Sequence, residues 1–253
     1  MNKTILLSLF ALLLFSCSIK QKKENHITLF VASSLTNIGY EIANGFKLKT
    51  GVRVKLNIAS SGILARQIEN GAYFDYYISA NQEWVQYIDS LGLLKKSSIE
   101  PLASNKMVAI VPKTDARIIP DEVFIKEFPN LFKGRLSLGD PIHVPAGKYA
   151  RQVINFYAWT NEVSTRLLPA KNVRDALLMV EMGEAEMGIV YKTDALKSEK
   201  VNVIYEFPNR TCQSIVYVGA STKEKSKSLE SFISYLQSDE VMKIWKTNGF
   251  NLD

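Results

Sequence analysis

The sequence predicts an α/β protein, either as one large domain or as two lobes of similar size. Segments with the apolar pattern of β-strands alternate with segments of helical periodicity along nearly the whole chain after residue 26. The 253 residues are sufficient for one large domain or for two lobes of about 100 residues each. The alternation predicts a mostly parallel sheet with helices on both faces.

The first part of the chain contains three predicted strand–helix units. Each predicted strand is followed by apolar residues at helical spacing, such as Leu35, Ile38, Ile42 and Phe46 after the first strand. A glycine, which tolerates the left-handed conformation, ends each predicted helix. The predicted strands are 27–32, 52–58 and 76–79, and the terminating glycines are Gly51, Gly71 and Gly92.

The rest of the chain repeats the alternation after a looser stretch that contains Pro120 and Pro129. The predicted strands are 107–111, 135–138, 187–191, 201–207 and 214–220. The predicted helices are 146–157, 173–182 and a C-terminal helical region of 229–249.

The N-terminus has the pattern of a secretory signal. Thr4 to Phe15 is an apolar run that is too short to span a bilayer. It ends at Ser16 and Cys17, and a small residue directly before a cysteine is typical of a lipoprotein cleavage site. We expect a signal peptide over 1–16, a lipid on Cys17 and a polar tether over 17–25. An ordinary cleaved signal beside an incidental cysteine remains the alternative.

Charge and cysteine content limit the classes of function. The net charge of +6 first suggests an anionic partner, but from His26 onward the chain carries 27 basic and 24 acidic residues. No dense basic stripe with interleaved aromatic residues is present, so we exclude nucleic acid as a partner. Cys212 is the one cysteine besides Cys17, and we expect it to be an incidental free thiol.

Three strand–helix junctions carry the pattern of an anion site. The segments 32–36 (ASSLT), 59–62 (ASSG) and 144–147 (VPAG) each follow a strand or turn and open a helix. Ligands of open α/β sheets bind beyond the carboxyl ends of the strands, where helix N-termini offer unpaired N–H groups and partial positive charge. Ser34 and Ser61 add hydroxyl donors there, although for either serine taken singly a helix N-cap is the better explanation.

The sequence lacks the patterns of common catalytic sites. It has no GxSxG elbow, no phosphate-binding GxxxxGK[ST] loop and no CxxC pair. His143 has no serine or cysteine nearby in the sequence, and no histidine–carboxylate cluster has metal-ligand spacing. We therefore expect a binding protein and no enzyme, without a cofactor.

Specific motifs resemble one family, the molybdate-binding proteins of ABC-type importers. The matching stretches are VASSLTN (31–37), ASSGILARQIENGAYFDYYISANQEWV (59–85), LGDPIHVPAGKYA (138–150), PAKNVRDALLMVEMGEAEMGIVY (169–191) and KTNGF (246–250). The resemblance implies the two-lobed type II periplasmic binding protein fold. It places one lobe at 26–107 and 208–253 and the other at 108–207, with 107–111 and 214–220 as hinge strands.

The resemblance also implies a ligand and the residues that hold it. These are the hydroxyls of Ser34 and Ser61, the backbone N–H groups of Ala146 and Val173, and the phenol of Tyr191. The ligand would be molybdate or tungstate, whose metal reaches the protein only as the oxyanion, and the partner an ABC importer permease. We expect an exported monomer, periplasmic or on the cell surface and held to the membrane through its lipid. Ser33 departs from the alanine common in relatives, and its role is open.

Other functions remain compatible with the residues. A receptor for a different oxyanion such as sulfate would use the same fold and the same kind of junction. An enzyme on a related two-lobed scaffold would need a role for His143, and a purely structural surface lipoprotein would need no ligand.

Overall fold

A computed structural model describes residues 26–252. The predicted signal peptide, tether and lipidated Cys17 lie outside these residues and stay predictions. Between residues 26 and 252, no helix is long and apolar enough to cross a membrane.

The first sheet forms the centre of one lobe and has five strands in the order β2-β1-β3-β10-β4. β1 pairs in parallel with β2 and β3, and β10 then pairs antiparallel with β3 and β4. The strands are β1 (His26–Ala32), β2 (Arg53–Ala59), β3 (Tyr76–Ser79), β4 (Glu100–Asn105) and β10 (Ile215–Ser221).

The second sheet has the same plan in the order β7-β6-β8-β5-β9. β6 pairs in parallel with β7 and β8, whereas β5 pairs antiparallel with β8 and β9. The strands are β5 (Met107–Pro112), β6 (Leu136–Gly139), β7 (Leu167–Ala170), β8 (Met187–Tyr191) and β9 (Val201–Glu206).

Helices cover the sheets, so that most strand residues are buried. In the first helix the predicted apolar residues Ile38, Ile42 and Phe46 are buried, and Gly51 ends it with φ +74°. The helices of the first lobe are α1 (Thr36–Thr50), α2 (Ser61–Glu69), α3 (Gln82–Ser90), α9 (Lys227–Leu236) and α10 (Asp239–Thr247). Those of the second are α4 (Asp121–Glu127), α5 (Pro145–Phe156), α6 (Thr160–Val163), α7 (Val173–Glu181) and α8 (Lys192–Ala195).

The predicted two-lobed α/β class is confirmed, and the sheets differ from the expectation in being mixed rather than mostly parallel. In each sheet two of the four pairings are antiparallel. The antiparallel pairings belong to the strands at the two crossings between the lobes: β5 enters the second sheet directly after β4 of the first, and β10 returns to the first sheet after β9.

Sequence patterns missed two strands, β4 and β7, and three helices, α4 and the single-turn helices α6 and α8. β4 contains Pro101 and β7 contains Pro169, and both are edge strands, where the missing N–H of proline costs no ladder bond. The stretch after Pro112 contains α4, whose Phe124 stacks on Tyr205 with ring centroids 4.2 Å apart. This region is therefore packed against the second sheet rather than loose.

The chain passes between the lobes twice, at Lys106 and at 207–214. The predicted hinge strands 107–111 and 214–220 lie directly beside these two crossings, as parts of β5 and β10. The exact lobe boundaries, 26–107 with 208–253 and 108–207, stay a prediction.

Candidate functional site

All five residues expected to bind the ligand line one cavity between the lobes. The cavity is small: about 10 Å³ is open to the centre of a water-sized sphere, which is close to the room that one water molecule needs. Its lining residues are Ala32, Ser33, Ser34, Ser60, Ser61, Ala80, Val144, Pro145, Ala146, Val173 and Tyr191.

Ser34 lies in a 3₁₀ turn, Ser33–Leu35, at the carboxyl end of β1. The side chain is buried, and its Oγ accepts a hydrogen bond of 2.8 Å from the phenol of Tyr217 on β10. Neither the turn nor α1 has a side-chain cap, which rules out the N-cap alternative for this serine. With an acceptor position of Ser34 taken by Tyr217, its own proton is available to a ligand.

Ser61 has the equivalent place at the end of β2 and is the first residue of α2. Its Oγ accepts a bond of 3.0 Å from the backbone N–H of Ala80, and its carbonyl accepts one of 2.8 Å from Tyr77. The N-cap position belongs to Ser60, which makes no side-chain cap bond. Ser61 is therefore also held as an acceptor from the protein, with its hydroxyl proton left for a ligand.

Ala146 and Val173 bring helix N-termini to the cavity. Ala146 is the second residue of α5, and Val173 is the first residue of α7, whose N-cap Asn172 accepts from the N–H of Asp175. The first four N–H groups of a helix have no partner inside it, and the helix dipole favours an anion there. Both residues are buried, so these donors face the cavity rather than bulk water.

Tyr191 ends β8 with its side chain fully buried. Its phenolic oxygen has no hydrogen-bond partner among the described residues. Burial is the largest of the causes that raise the pKa of this phenol well above its usual value, so the group keeps its proton. An unpartnered buried hydroxyl is costly, and an anion in the cavity would satisfy it.

The sequence interpretation omitted Ser60, which also lines the cavity. Its Oγ is buried without a partner in the described chain. The signal was present in the ASSG segment, but the pattern does not say which of two adjacent serines faces the ligand. Ser33 also lines the cavity, and its carbonyl accepts a bond of 2.6 Å from Thr36.

No lysine or arginine is among the residues that line the cavity in the described part of the chain. Arg174 directly follows Val173, and its Nε forms an ion pair with the buried carboxylate of Asp194. Its Nη2 donates to Asn37 Oδ1 at 3.0 Å, on α1 of the other lobe. Burial raises the pKa of Asp194 to about 7, against the opposing effect of Arg174.

The lobes contact each other at the rim of the cavity. The backbone N–H of Gly62 donates to the carbonyl of His143 at 3.2 Å, and Lys148 on α5 forms an ion pair with Glu83 on α3. The imidazole of His143 is exposed, which does not suit a general base in a closed site. These bonds close the cleft over the cavity.

The remaining candidate groups do not form a reactive centre. Burial raises the pKa of the Cys212 thiol to about 11, so it is protonated at neutral pH and a poor nucleophile. Within residues 26–252, no group of three or more histidine, cysteine, aspartate or glutamate side chains is arranged to hold a metal ion.

Comparison with known proteins gives consistent matches over almost the whole described chain. A family model described as bacterial extracellular solute-binding protein matches residues 27–251. Molybdate-binding protein ModA of Escherichia coli (strain K12) is 37% identical over 234 residues, which are 90% of each chain. YvgL of Bacillus subtilis (strain 168), provisionally named an ABC transporter substrate-binding lipoprotein, is 34% identical and covers 96% of this chain and 94% of its own.

A solved structure agrees with the fold. The periplasmic molybdate-binding protein of Azotobacter vinelandii superposes with a TM-score of 0.79 at 20% identity, covering 90% of this chain and 99% of that one. This likeness shows that the two chains share the same overall fold.

Proposed function

The chain belongs to the family of bacterial extracellular solute-binding proteins, and from that premise we propose that it captures molybdate, and tungstate with it, for an ABC importer. The observation that carries the proposal is the convergence of neutral donors from both lobes on one buried cavity. These are the hydroxyls of Ser34 and Ser61, the N–H groups of Ala146 and Val173 and the phenol of Tyr191.

The donor set suits an anion that carries no proton. Fixed dipoles replace the water lost by a buried oxyanion, and hydrogen bonds to a charged partner are stronger than those between neutral groups. A protonated oxyanion such as hydrogen phosphate brings an O–H donor into a set of donors. The unpaired donor costs about 1–3 kcal/mol, which favours fully deprotonated anions.

Charge does not distinguish molybdate from sulfate, because both are tetrahedral dianions at neutral pH. Selection between them must come from the size of the cleft, and we propose that the cleft favours the larger anions. The name of the Escherichia coli relative, molybdate-binding protein ModA, also supports molybdate as the ligand.

Delivery needs a closed form that a membrane permease can recognise. The rim contacts between Gly62 and His143 and between Glu83 and Lys148 join the lobes on the side of the cavity. An anion that bonds to both lobes stabilises this form, which is hinge closure of a familiar kind. We place the protein outside the cytoplasm, held at the membrane by a lipid on Cys17, in keeping with the lipoprotein name of the Bacillus relative.

Isothermal titration calorimetry of the anion-free protein tests the ligand. Molybdate and tungstate should bind with sub-micromolar dissociation constants, which corresponds to about −8 kcal/mol or stronger. Sulfate and phosphate should give little heat at the same concentrations. Tight sulfate binding without molybdate binding would identify the protein as a sulfate receptor and refute the proposal.

Mass spectrometry of the mature N-terminus tests the anchor. We expect a chain that begins at Cys17 with an added diacylglycerol, and release of the C17S variant from the membrane fraction. A mature N-terminus without lipid would refute the anchor on Cys17 and favour an ordinary cleaved signal peptide.

A further inference from the structure

The hydroxyl of Ser34 is the end of a hydrogen-bond relay that starts outside the cavity. Tyr217 donates to Ser34 Oγ at 2.8 Å, and Asn105 Nδ2 lies 3.3 Å from Tyr217 Oη and 2.9 Å from Thr193 Oγ1. The backbone N–H of Lys106 donates to Asn105 Oδ1 at 2.8 Å. Tyr217 and Asn105 do not line the cavity.

The direction of the relay follows from the donors that start it. A backbone N–H can only donate, so its partner must be the amide oxygen of Asn105, and the amide nitrogen must face Tyr217. That nitrogen cannot accept a hydrogen bond. Tyr217 therefore accepts from Asn105 and has Ser34 as the acceptor for its own proton.

The phenol of Tyr217 is suited to this fixed role. The residue is fully buried, and burial raises the pKa of its phenol far above neutral pH, so the proton is retained. The ring is held in the sheet by an edge-on contact with Phe250, with ring centroids 5.2 Å apart. Neither the position nor the protonation state of the phenol is free to vary at neutral pH.

We propose that Tyr217, oriented by Asn105, is a positioning and specificity-determining residue that makes Ser34 a hydrogen-bond donor to the anion. This inference rests on the proposed function, because it assumes that Ser34 contacts an oxyanion. With one lone pair of Ser34 Oγ taken by Tyr217, a ligand O–H in the path of the serine proton would meet a donor rather than an acceptor. The relay therefore disfavours the binding of protonated oxyanions, although Tyr217 itself does not line the cavity.

A double-mutant cycle with Y217F and S34A tests the relay by calorimetry. Y217F should weaken molybdate binding about tenfold when Ser34 is present, since the serine proton is no longer directed into the cavity. In the S34A background the same change should have an effect of less than about twofold, because Tyr217 acts only through Ser34. Equal losses in both backgrounds, or no loss in either, would overturn the proposal.

The specificity of Y217F is measured by competition with hydrogen arsenate. Relative to molybdate, arsenate should compete about tenfold better in Y217F than in the wild type, because the Ser34 hydroxyl can then turn its proton away and accept from the arsenate O–H. An unchanged ratio would remove the specificity role. Y76F is the matched control, since Tyr76 is a buried phenol on the adjacent strand β3 and donates to Glu100 at 3.0 Å, away from the cavity.

The titration of the wild type separates this inference from the proposed function. If molybdate and tungstate fail to bind but sulfate binds, the proposed function is wrong, and the same cycle with sulfate still tests the relay. If the wild type binds molybdate and the cycle shows no coupling, only the relay is wrong.

Discussion

The two walls of the cavity hold their donors in different ways. On the first wall, formed by Ser34 and Ser61, each hydroxyl already accepts a hydrogen bond from the protein. On the second wall, formed by Ala146, Val173 and Tyr191, the donors are helix N-termini and a phenol that has no partner in the described chain. Ser34 and Ser61 thus each have a protein partner without a ligand, although Ser60 beside them has none, whereas the phenol of Tyr191 gains its first partner from a ligand.

Because of this difference, we expect mutations in the two walls to change the affinity for the anion and the stability of the protein in different proportions. A side chain of the first wall contributes to both, because it bonds to its own lobe as well as to the ligand. The phenol of the second wall contributes to affinity and costs stability, since it is desolvated without compensation. The backbone donors of the second wall depend on where their helices begin, so they are altered only by moving a helix.

The largest effect is expected where a helix of the second wall is displaced. A β-carbon at Gly147 would lie 2.0 Å from the carbonyl oxygen of Gly139 and 2.8 Å from the carbonyl carbon of Asp140. These are backbone atoms, so α5 would have to shift and carry Ala146 with it. G147A should lower the free energy of unfolding by about 3 kcal/mol, measured by denaturant unfolding, and abolish tight anion binding.

G62A is the matched change on the other side of the cavity. Its β-carbon would meet the carbonyl of His143 at 2.3 Å, across the cleft, and the indole of Trp84 at 2.6 Å, within its own lobe. Closure should be impeded more than folding, so G62A should lose affinity with a smaller loss of stability than G147A. The reverse ranking of the two stabilities would contradict this view of the two contacts.

The next effect compares one side chain from each wall. Y191F should weaken molybdate binding by about 1.5–3 kcal/mol while leaving the stability of the anion-free protein unchanged or slightly raised. S61A should weaken binding to a similar degree and also cost stability, because the N–H of Ala80 loses its acceptor. Calorimetry gives the affinities and thermal unfolding without anion gives the stabilities.

S137A controls for the loss of any buried serine. Ser137 is fully buried and donates to the carbonyl of Ala176 at 2.9 Å without lining the cavity. The S137A variant should be less stable than the wild type and should bind molybdate with unchanged affinity. Should Y191F prove as destabilising as S61A, the phenol of Tyr191 would have an internal partner and the contrast between the walls would fail.

The sequence alone was sufficient to predict those parts of the site that depend on the order of neighbouring residues in the chain. A strand followed by small hydroxyl residues and a helix start predicts donors at the carboxyl edge of a sheet, and Ser34 and Ser61 lie there. The pattern could not decide between ligand and N-cap, because both roles use the same residue type at the same place. The structure decides against the caps, since neither serine side chain bonds a helix N–H.

The relay could not be predicted from the sequence. Tyr217 reaches Ser34 from a strand 183 positions later, and Asn105 reaches Tyr217 from 112 positions earlier. These contacts depend on the antiparallel insertion of β10 beside β3, for which a pattern of alternating strands and helices gives no sign. The sequence pattern also missed β4, because this strand contains a proline. An edge strand such as β4 tolerates proline, whereas a central strand excludes it.

The third effect concerns the charge behind the second wall. Burial raises the pKa of Asp194 from 3.8 to about 7, so the folded protein binds this proton more tightly than the unfolded chain does. The contribution of Asp194 to stability therefore grows as the pH falls through 7 and is lost as the pH rises through it. Between about pH 8 and about pH 6, the wild type should gain about 1.4 kcal/mol of unfolding free energy relative to D194N.

Denaturant unfolding of both proteins at the two pH values measures that difference, and taking the difference cancels the carboxylates that the proteins share. The asparagine carries no titrating proton but leaves Arg174 without its carboxylate, which adds an offset that does not change with pH over this range. A difference that is constant with pH would show that Asp194 stays ionised throughout, and that Arg174 dominates over burial.

The smallest effect is expected for the ion pair that joins the walls across the rim. Lys148 on α5 bonds to Glu83 on α3, but about half of the Glu83 side chain is exposed, so water and salt screen the pair. E83Q should weaken anion binding by less than about 1 kcal/mol at low ionic strength and by nothing measurable at about 1 M salt. Its effect on unfolding without anion should be negligible, because the bond lies between the lobes.

E69Q is the comparison for that change, since Glu69 pairs with Arg66 inside α2 and should not affect closure. A loss in E83Q as large as that in Y191F would mean that the rim, rather than the donors of the second wall, supplies most of the free energy of closure. The dissociation rate of molybdate at low and high salt separates the two cases. A rim that governs closure gives a strongly salt-dependent rate in the wild type, whereas buried donors screened from solvent give one that hardly changes.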